Sequence, residues 1–334
     1  FRCLGKDKST GQIALLPVLA ATCRNNRLKA CPAMRIVTHA DDCGLTDGIT
    51  TAILDCAGSL AGASVMAGGD CPERAARALE TSLSGRHGLP VVGVHLNLLE
   101  GRCLLPPDRL PLLARPDGFF RYSLGSLCLA LSNPFSRARQ ALLDEIAAEW
   151  TAQAERIRAA VPSARLYLDG HLHVHVLPVL RPVLFSLLQR FSVDYVRVPA
   201  EPRYLAPAPP GLQLFGNLRR ELLRLWSRGL GEELRKHGVR TPDCFLGAFC
   251  SGAMTLPRLA AGLAHARKTL ADDALVEIMF HPGGFGPDDA DAARDLLYRK
   301  FYLAPERNAE YVLLRSAEFH HLMLSHDKSW QGAP

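Results

Sequence analysis

Short apolar runs alternate along this sequence with longer segments of helical periodicity. Each run is typical of a buried strand, and most are followed by a segment whose apolar residues recur every three or four positions. This alternation predicts an α/β fold in which parallel strands are joined by right-handed crossovers. The predicted strands span 34–40, 63–69, 90–99, 164–172, 194–199, 243–249 and 274–284.

Several helical segments carry further signals. In "TDGITTAILDCAG" (46–58), Thr46 or Asp47 is placed to cap the first turn. A long amphipathic helix is predicted over 137–161, and a basic helix over 217–238. The leucines of the basic helix predict a core-facing side with a solvated arginine face; contact with an anionic membrane surface is the alternative.

Length and charge narrow the classes of protein. The chain has 334 residues and a formal net charge of +6. An α/β barrel commonly runs about 250 residues or more as one domain, so a single catalytic domain with helical insertions accounts for most of the chain. No block of lysine and arginine is dense enough to predict nucleic-acid binding.

The cysteines predict the cellular compartment, and the N-terminal segment bears on where the folded domain begins. The ten cysteines are scattered without a C-x-x-C pair, which predicts free thiols in a reducing, cytoplasmic compartment. No apolar run is long enough to span a membrane. We expect residues 1–33 to be an extension outside the fold, residues 34–325 to form the barrel, and residues 326–334 to form a tail.

Polar residues stand where four of the predicted strands end. Asp41 and Asp42 follow the first strand, His95 the third, His171 the fourth and His281 the last. In a parallel α/β barrel these positions converge on the carboxyl-end face, where active sites lie. We therefore expect these side chains to form one site.

The segment "YLDGHLHVH" carries the densest group of such residues. In an extended chain, Asp169, His171, His173 and His175 would share one face. Neutral imidazole is a common metal ligand, so the pattern indicates either a metal site or a strand with a polar outer face. Histidines with a carboxylate suit a divalent cation, which makes water more acidic and polarises a carbonyl. This chemistry fits a hydrolase of amides, esters or phosphates.

Four motifs resemble the YdjC-like carbohydrate deacetylases in sequence and in order. They are "THADDCGLTDGI", "VVGVHLNL", "YLDGHLHVH" and "VEIMFHPGG". The resemblance implies a distorted (β/α) TIM-like barrel and removal of acetyl from an N-acetylated amino sugar. It also implies one divalent metal ion, Mg²⁺ first, with Zn²⁺ or Mn²⁺ as alternatives.

The resemblance also suggests individual roles. Asp41 matches the general base, and Asp42, His95 and His171 match the metal ligands. His281 is the predicted donor of a proton to the leaving amine. The predicted substrate contacts or supports of the metal ligands are His173, His175, Asn97 and Asp169. Two positions depart from the usual pattern, Cys43 in place of an aromatic residue and Leu172 in place of a histidine.

Other functions compete with this one. The same residues could hydrolyse another amide or a phosphate ester, and a non-catalytic metal- or sugar-binding protein is a further alternative. The predicted partners are an N-acetylated sugar and, if that sugar is lipid-linked, a membrane surface. A homo-oligomer is compatible with the sequence.

Overall fold

A seven-stranded parallel sheet forms the centre of the computed structural model, which describes residues 34–83, 88–283 and 296–330. All of its strand pairs are parallel, in the order β5-β4-β3-β2-β1-β7-β6. The predicted parallel α/β fold is confirmed. The strands are β1 (Arg35–Cys43), β2 (Gly62–Val65), β3 (Val92–Leu96), β4 (Leu166–Gly170), β5 (Val193–Val196), β6 (Cys244–Leu246) and β7 (Leu275–Phe280).

The two outer strands approach each other through Arg240. The backbone N–H of Val196 in β5 donates to Arg240 O at 2.9 Å, and Arg240 N–H donates to Asp194 O at 3.1 Å. The chain then runs into β6 within a few residues. The sheet therefore curls towards closure, and the predicted distorted (β/α) barrel is confirmed.

Helices follow most of the strands, as the alternating pattern predicts. Thr46 caps the first of them by accepting a hydrogen bond from Ile49 N–H at 3.2 Å. The prediction of one basic helix over 217–238 is wrong, because the chain turns at Gly229 (φ +75°) and forms two helices. The helices are α1 (Asp47–Asp55), α2 (Pro72–Leu83), α3 (Leu124–Ala130), α4 (Arg137–Ala160), α5 (Arg181–Arg190), α6 (Pro210–Trp226), α7 (Leu230–Lys236) and α8 (Leu256–Thr269), followed by Arg299–Tyr302, Pro305–Leu314 and Ala317–His326.

The inner face of the curled sheet is polar. His39 of β1 stacks on Tyr167 of β4, with ring centroids 4.6 Å apart, and donates to Glu277 of β7 at 3.0 Å. Tyr195 of β5 also donates to Glu277. Gly93 of β3 faces Tyr167 so closely that an added Cβ would lie 2.3 Å from the ring. This layer of buried polar side chains lies directly beneath the carboxyl ends of the strands.

The predicted extension, residues 1–33, lies outside the described residues and stays a prediction. The described part of the predicted tail packs against the barrel. Asp327 accepts a hydrogen bond from Ile36 N–H in β1 at 2.9 Å, and Trp330 is buried against Phe319. No helix of the described residues is long and apolar enough to cross a membrane.

Candidate metal centre and active-site cleft

The two adjacent aspartates lie at an irregularity near the end of β1. The register of β1 with β2 shifts between Ala40 and Cys43, and Asp42 has a left-handed backbone conformation with φ +68°. A bulge breaks the strict alternation of side chains along a strand. Both Asp41 and Asp42 are therefore buried at the same end of the barrel, where each carboxylate has its own partners.

Asp42, His95 and His171 lie together, as predicted. Their ligand atoms are all within 4.8 Å of one another. Asp42 Oδ1 lies 3.4 Å from His171 Nδ1 and 3.6 Å from His95 Nε2, and this buried oxygen has no hydrogen-bond partner. An unpartnered carboxylate oxygen that faces two imidazole nitrogens fits a divalent cation. These three residues form a group that could hold a metal ion.

Asp169 supports His95 from the opposite side. Its Oδ1 accepts a hydrogen bond from His95 Nδ1 at 2.8 Å, which directs Nε2 towards Asp42. A carboxylate behind a ligating histidine commonly fixes its ring and tautomer. Burial alone would lower the pKa of His95, but the carboxylates of Asp169, Asp41 and Asp42 together outweigh it and raise the pKa to about 9. A cation at this site would therefore displace a proton from His95.

Arg197 follows β5 and links several buried carboxylates. Its Nη1 lies 2.7 Å from Asp41 Oδ2 and 2.8 Å from Asp169 Oδ2, and its Nε lies 2.6 Å from Glu277 Oε1. A second set of residues also has its possible ligand atoms within 4.8 Å of one another: Asp41, His95 and Asp169. Arg197 already neutralises the carboxylates of Asp41 and Asp169. This second group therefore suits a cation less well than the group around Asp42.

Asp41 is held in its ionised form. Burial raises the pKa of this carboxyl, but the Arg197 guanidinium and the neighbouring His95 and His281 hold it well below its usual range. The carboxylate lines the cleft beside the candidate metal ligands Asp42, His95 and His171. Its position is that of a group that could accept a proton from a water molecule bound there.

His281 lies on the other side of Asp41. Its Nε2 is 3.8 Å from Asp41 Oδ2, its buried Nδ1 has no partner, and its backbone N–H donates to Glu310 at 2.5 Å. Burial lowers the pKa of His281 to about 4, so the imidazole is neutral near neutral pH. His281 could therefore donate a proton to a substrate only after taking one up during the reaction.

The segment after β4 does not continue as a strand. The prediction that side chains alternate between two faces along the three histidines is wrong, because β4 ends at Gly170. The chain then forms a tight turn in which Leu172 (φ +48°) and His173 (φ +58°) have left-handed conformations. Non-glycine residues adopt this conformation at a cost, and such strain is often found at functional sites. The turn sends the three histidines in different directions.

His173 and His175 consequently have different surroundings. His173 lines the cleft, packs edge-on against Phe245, and has a buried Nδ1 without a partner. His175 Nε2 donates to the backbone oxygen of Arg197 at 2.9 Å and lies outside the cleft. His173 is thus placed to contact a substrate, whereas His175 supports the loop that carries Arg197.

Asn97, predicted as a substrate contact or as a support of the metal ligands, does not line the cleft. Its Oδ1 accepts hydrogen bonds from Leu99 N–H and Glu100 N–H, and its Nδ2 donates to Glu100 O at 2.6 Å. An asparagine that bonds to the backbone just after it stabilises a tight turn. This turn places buried Glu100 Oε2 4.0 Å from His171 Nε2. Burial raises the pKa of Glu100 to about 7.

Several residues that contact this site were not predicted from the sequence. Arg197 lies within the predicted strand "DYVRVP" but directly follows β5, so the rule that polar residues gather at strand ends would have found it had the strand end been placed correctly. Of the others, Glu277 lies inside β7, and the rest lie on loops and helices where no local pattern marks them. Besides Arg197, the residues not predicted are Glu100, Glu277, Tyr302, Arg307 and Glu310.

A cleft of about 400 Å³ opens above the group. One wall carries Asp41, His95, His171, His173 and His281. The opposite wall belongs to α6 and is mostly apolar. Its cleft-lining side chains are Phe215, Leu218, Arg219, Leu222, Leu223 and Trp226.

Buried carboxylates, imidazoles and an arginine lie together at the carboxyl ends of parallel strands in a TIM-like barrel, and they include a group that could hold a metal ion. The chain belongs to the YdjC-like protein family, whose model matches residues 35–325.

Relatives named carbohydrate deacetylase are similar over most of the chain. The protein from Mus musculus is 32% identical over 280 residues, which cover 78% of this chain and 84% of that protein. The protein from Homo sapiens is 31% identical over 302 residues, which cover 84% and 87%, respectively.

A solved structure shares the fold. It is that of a candidate cellobiose-phosphate cleavage protein from Enterococcus faecalis, with a TM-score of 0.60 and 19% identity. The match covers 88% of this chain and 95% of that one. At this identity the likeness supports the barrel architecture alone.

Proposed function

We propose that this protein is a metal-dependent deacetylase that removes acetyl from an N-acetylated amino sugar. The observation that carries the proposal is the unpartnered Oδ1 of Asp42, which faces His95 and His171 beside the ionised carboxylate of Asp41. The names of the relatives support the sugar substrate.

The residues divide the reaction between them. A divalent cation held by Asp42, His95 and His171 would polarise the acetyl carbonyl and lower the pKa of a water molecule. Asp41 accepts a proton from the water as its oxygen attacks the carbonyl carbon. The C–N bond then breaks, and the sugar nitrogen takes up a proton. His281 Nε2, 3.8 Å from Asp41, is placed to transfer that proton, and the products are acetate and a free amine.

Two considerations bear on the identity of the metal. The family resemblance favours Mg²⁺. Two imidazoles with one carboxylate are a donor set that also suits Zn²⁺ and Mn²⁺, whereas Mg²⁺ generally prefers oxygen ligands. Activity measured after each ion is returned to metal-free protein would identify the metal.

The apolar wall suggests how the substrate is presented. On α6, Phe215, Leu218 and Leu222 line the cleft and are also exposed to solvent, and Leu214 and Leu225 add to the exposed face. Exposed apolar patches of this kind often mark binding surfaces. We infer that a lipid-linked glycan is favoured over a free oligosaccharide, with peripheral membrane contact through α6. Homo-oligomerisation stays a prediction.

The cytoplasmic location also stays a prediction. The cysteines of the described residues are all free, in accord with a reducing compartment.

A product assay tests the proposed function. Metal-loaded protein is incubated with N-acetylated oligosaccharides, an N-acetylated glycolipid and phosphate esters, and released acetate, amine and phosphate are measured. We expect equal amounts of acetate and amine from an N-acetylated sugar, and faster release from the glycolipid. Phosphate release alone would support a phosphatase, and no turnover at all would support a binding protein.

A further inference from the structure

Arg307 lies buried against the candidate metal centre. Its Nη1 donates to Asp42 Oδ2 at 2.9 Å, across 265 residues of sequence. The guanidinium lies 5.1 Å from the centroid of the Phe301 ring and 5.4 Å from that of Tyr302. This arginine is fully buried, so it holds a fixed positive charge beside a carboxylate that also faces two histidines.

The two oxygens of Asp42 therefore have separate roles. Oδ2 is engaged by Arg307, and Oδ1 alone faces His95 and His171. We propose that Arg307 is a positioning residue that restricts Asp42 to one-oxygen contact with the cation. The proposal rests on the metal centre in the proposed function, and it adds a residue that decides how many positions on the cation stay open.

The physical reason lies in how carboxylates bind metals. A carboxylate can contact a divalent cation through one oxygen or through both. Contact through both would occupy a position that a hydrolytic site needs for water and substrate. A guanidinium on one oxygen of Asp42 prevents this, because that oxygen would have to give up a buried charge-assisted hydrogen bond.

The helix Pro305–Leu314 holds Arg307 in place. Glu310, one turn later, accepts hydrogen bonds from His281 N–H at 2.5 Å and from Met254 N–H at 2.6 Å. Gly283 N–H donates to Arg307 O at 3.3 Å, and a Cβ added at Gly283 would lie 2.9 Å from Arg307 Nε. The glycine of "HPGG" thus leaves room for the arginine, and one helix holds both the Asp42 carboxylate and the backbone of His281.

Cobalt spectroscopy tests the proposal on the full chain. Co²⁺ reports its coordination number through the intensity of its visible absorption, which falls as ligands are added. In Arg307→Gln we expect weaker bands at saturating Co²⁺, since both oxygens of Asp42 are then free to bind. Co²⁺ affinity should be retained or increased, while kcat falls by about 10- to 100-fold, the usual range for residues that orient metal ligands. Arg307→Lys keeps a positive donor near Oδ2 and should restore most of the wild-type spectrum.

Two further variants separate this role from general loss of structure. Gly283→Ala keeps the charge of Arg307 but crowds its guanidinium, so it should give the same spectral change to a smaller degree. If Arg307→Gln does not fold, the spectrum of Gly283→Ala tests the proposal instead. The matched control is Arg220→Gln, which also removes a buried arginine lying over two aromatic rings, Tyr204 and Phe249. Arg220 lies outside the cleft lining, so the Co²⁺ spectrum should not change.

The outcomes distinguish the inference from the proposed function. Wild-type protein that binds no divalent ion would overturn the metal centre and the inference with it. If wild-type protein binds Co²⁺, an unchanged spectrum in Arg307→Gln or, should that variant not fold, in Gly283→Ala overturns the inference alone. Loss of Co²⁺ affinity in a folded Arg307→Gln variant also overturns it, because the arginine would then support binding rather than restrict it.

Discussion

Asp41 and Asp42 are adjacent in the sequence but have different surroundings. Asp41 is paired with Arg197 and lies next to His281, whereas Asp42 offers one free oxygen to two histidines. The bulge at the end of β1 separates the two roles by breaking the alternation of side chains. Substitution of each aspartate should therefore have a distinct effect.

Asp41→Asn and Asp42→Asn test these roles. Asp41→Asn keeps the shape but accepts no proton, so turnover should fall about 100- to 10,000-fold while metal content is retained. Asp42→Asn removes a charged ligand, so metal affinity should fall, and excess metal should restore part of the rate. Metal analysis and acetate release measure both effects. Asp47→Asn, an exposed aspartate at the start of α1, is the control and should change neither. Metal loss in Asp41→Asn alone would reverse the two assignments.

The residues at the carboxyl ends of strands could be predicted from the sequence. Asp41, Asp42, His95, His171 and His281 could be placed together because the carboxyl ends of parallel strands meet at one face. Arg307 could not be predicted, because its contact with Asp42 depends on how a late helix packs on the barrel. For Asn97 the sequence left a substrate contact and a support of the metal ligands open, because the turn that its amide stabilises depends on backbone contacts with Leu99 and Glu100.

At the scale of elements, the histidine-rich segment shows the limit of periodicity. Alternating apolar residues in "HLHVH" are typical of a strand, but the strand ends at Gly170. His175 packs so close to this glycine that an added Cβ would lie 2.9 Å from Nδ1. Tertiary packing therefore decides the conformation here, and Val174 and Val176 are buried by a turn rather than by a sheet face.

The inner layer of the barrel depends on a glycine in β3. In Gly93→Ala the new Cβ would lie 2.3 Å from the Tyr167 ring, which is fully buried and stacked on His39. We expect a loss of about 1–3 kcal/mol in the free energy of unfolding, as is typical of overpacking. Urea denaturation measures the change.

A matched substitution controls for the loss of a glycine. Gly125, in α3, has no atom within 4 Å of an added Cβ. Gly125→Ala should be neutral or slightly stabilising, because alanine has a higher helix propensity. Equal stability of the two variants would show that β3 can shift away from Tyr167, and that the layer is less tightly packed than these distances indicate.

For the whole molecule, the buried charge network predicts how stability depends on pH. Burial raises the pKa of Glu277, but Arg197 and His39 outweigh it and lower the pKa from 4.5 to about 2. A carboxyl with a lowered pKa contributes stability that is complete above its unfolded value and is lost as pH falls towards its folded value. The protein should therefore lose stability between about pH 4.5 and pH 2.

Glu277→Gln tests this account of acid sensitivity. The variant should be less stable at pH 7, because Arg197 loses a charged partner, and its stability should fall less steeply between pH 4.5 and pH 2. Unfolding in urea at a series of pH values gives both curves. Glu318→Gln, at an exposed position on the last helix, should follow the wild-type curve. Parallel curves for wild type and Glu277→Gln would locate the acid-sensitive groups elsewhere.

In the proposed function, deacetylation depends on one cation held by Asp42, His95 and His171. The most direct measurement is the rate of acetate release from an N-acetylated sugar as metal is added stepwise to metal-free protein. We predict a rate that rises to a plateau at one equivalent in the wild type, and no such rise in His95→Ala or His171→Ala. Full activity in metal-free protein, or an unchanged titration in both variants, would show that deacetylation does not depend on a cation at this site.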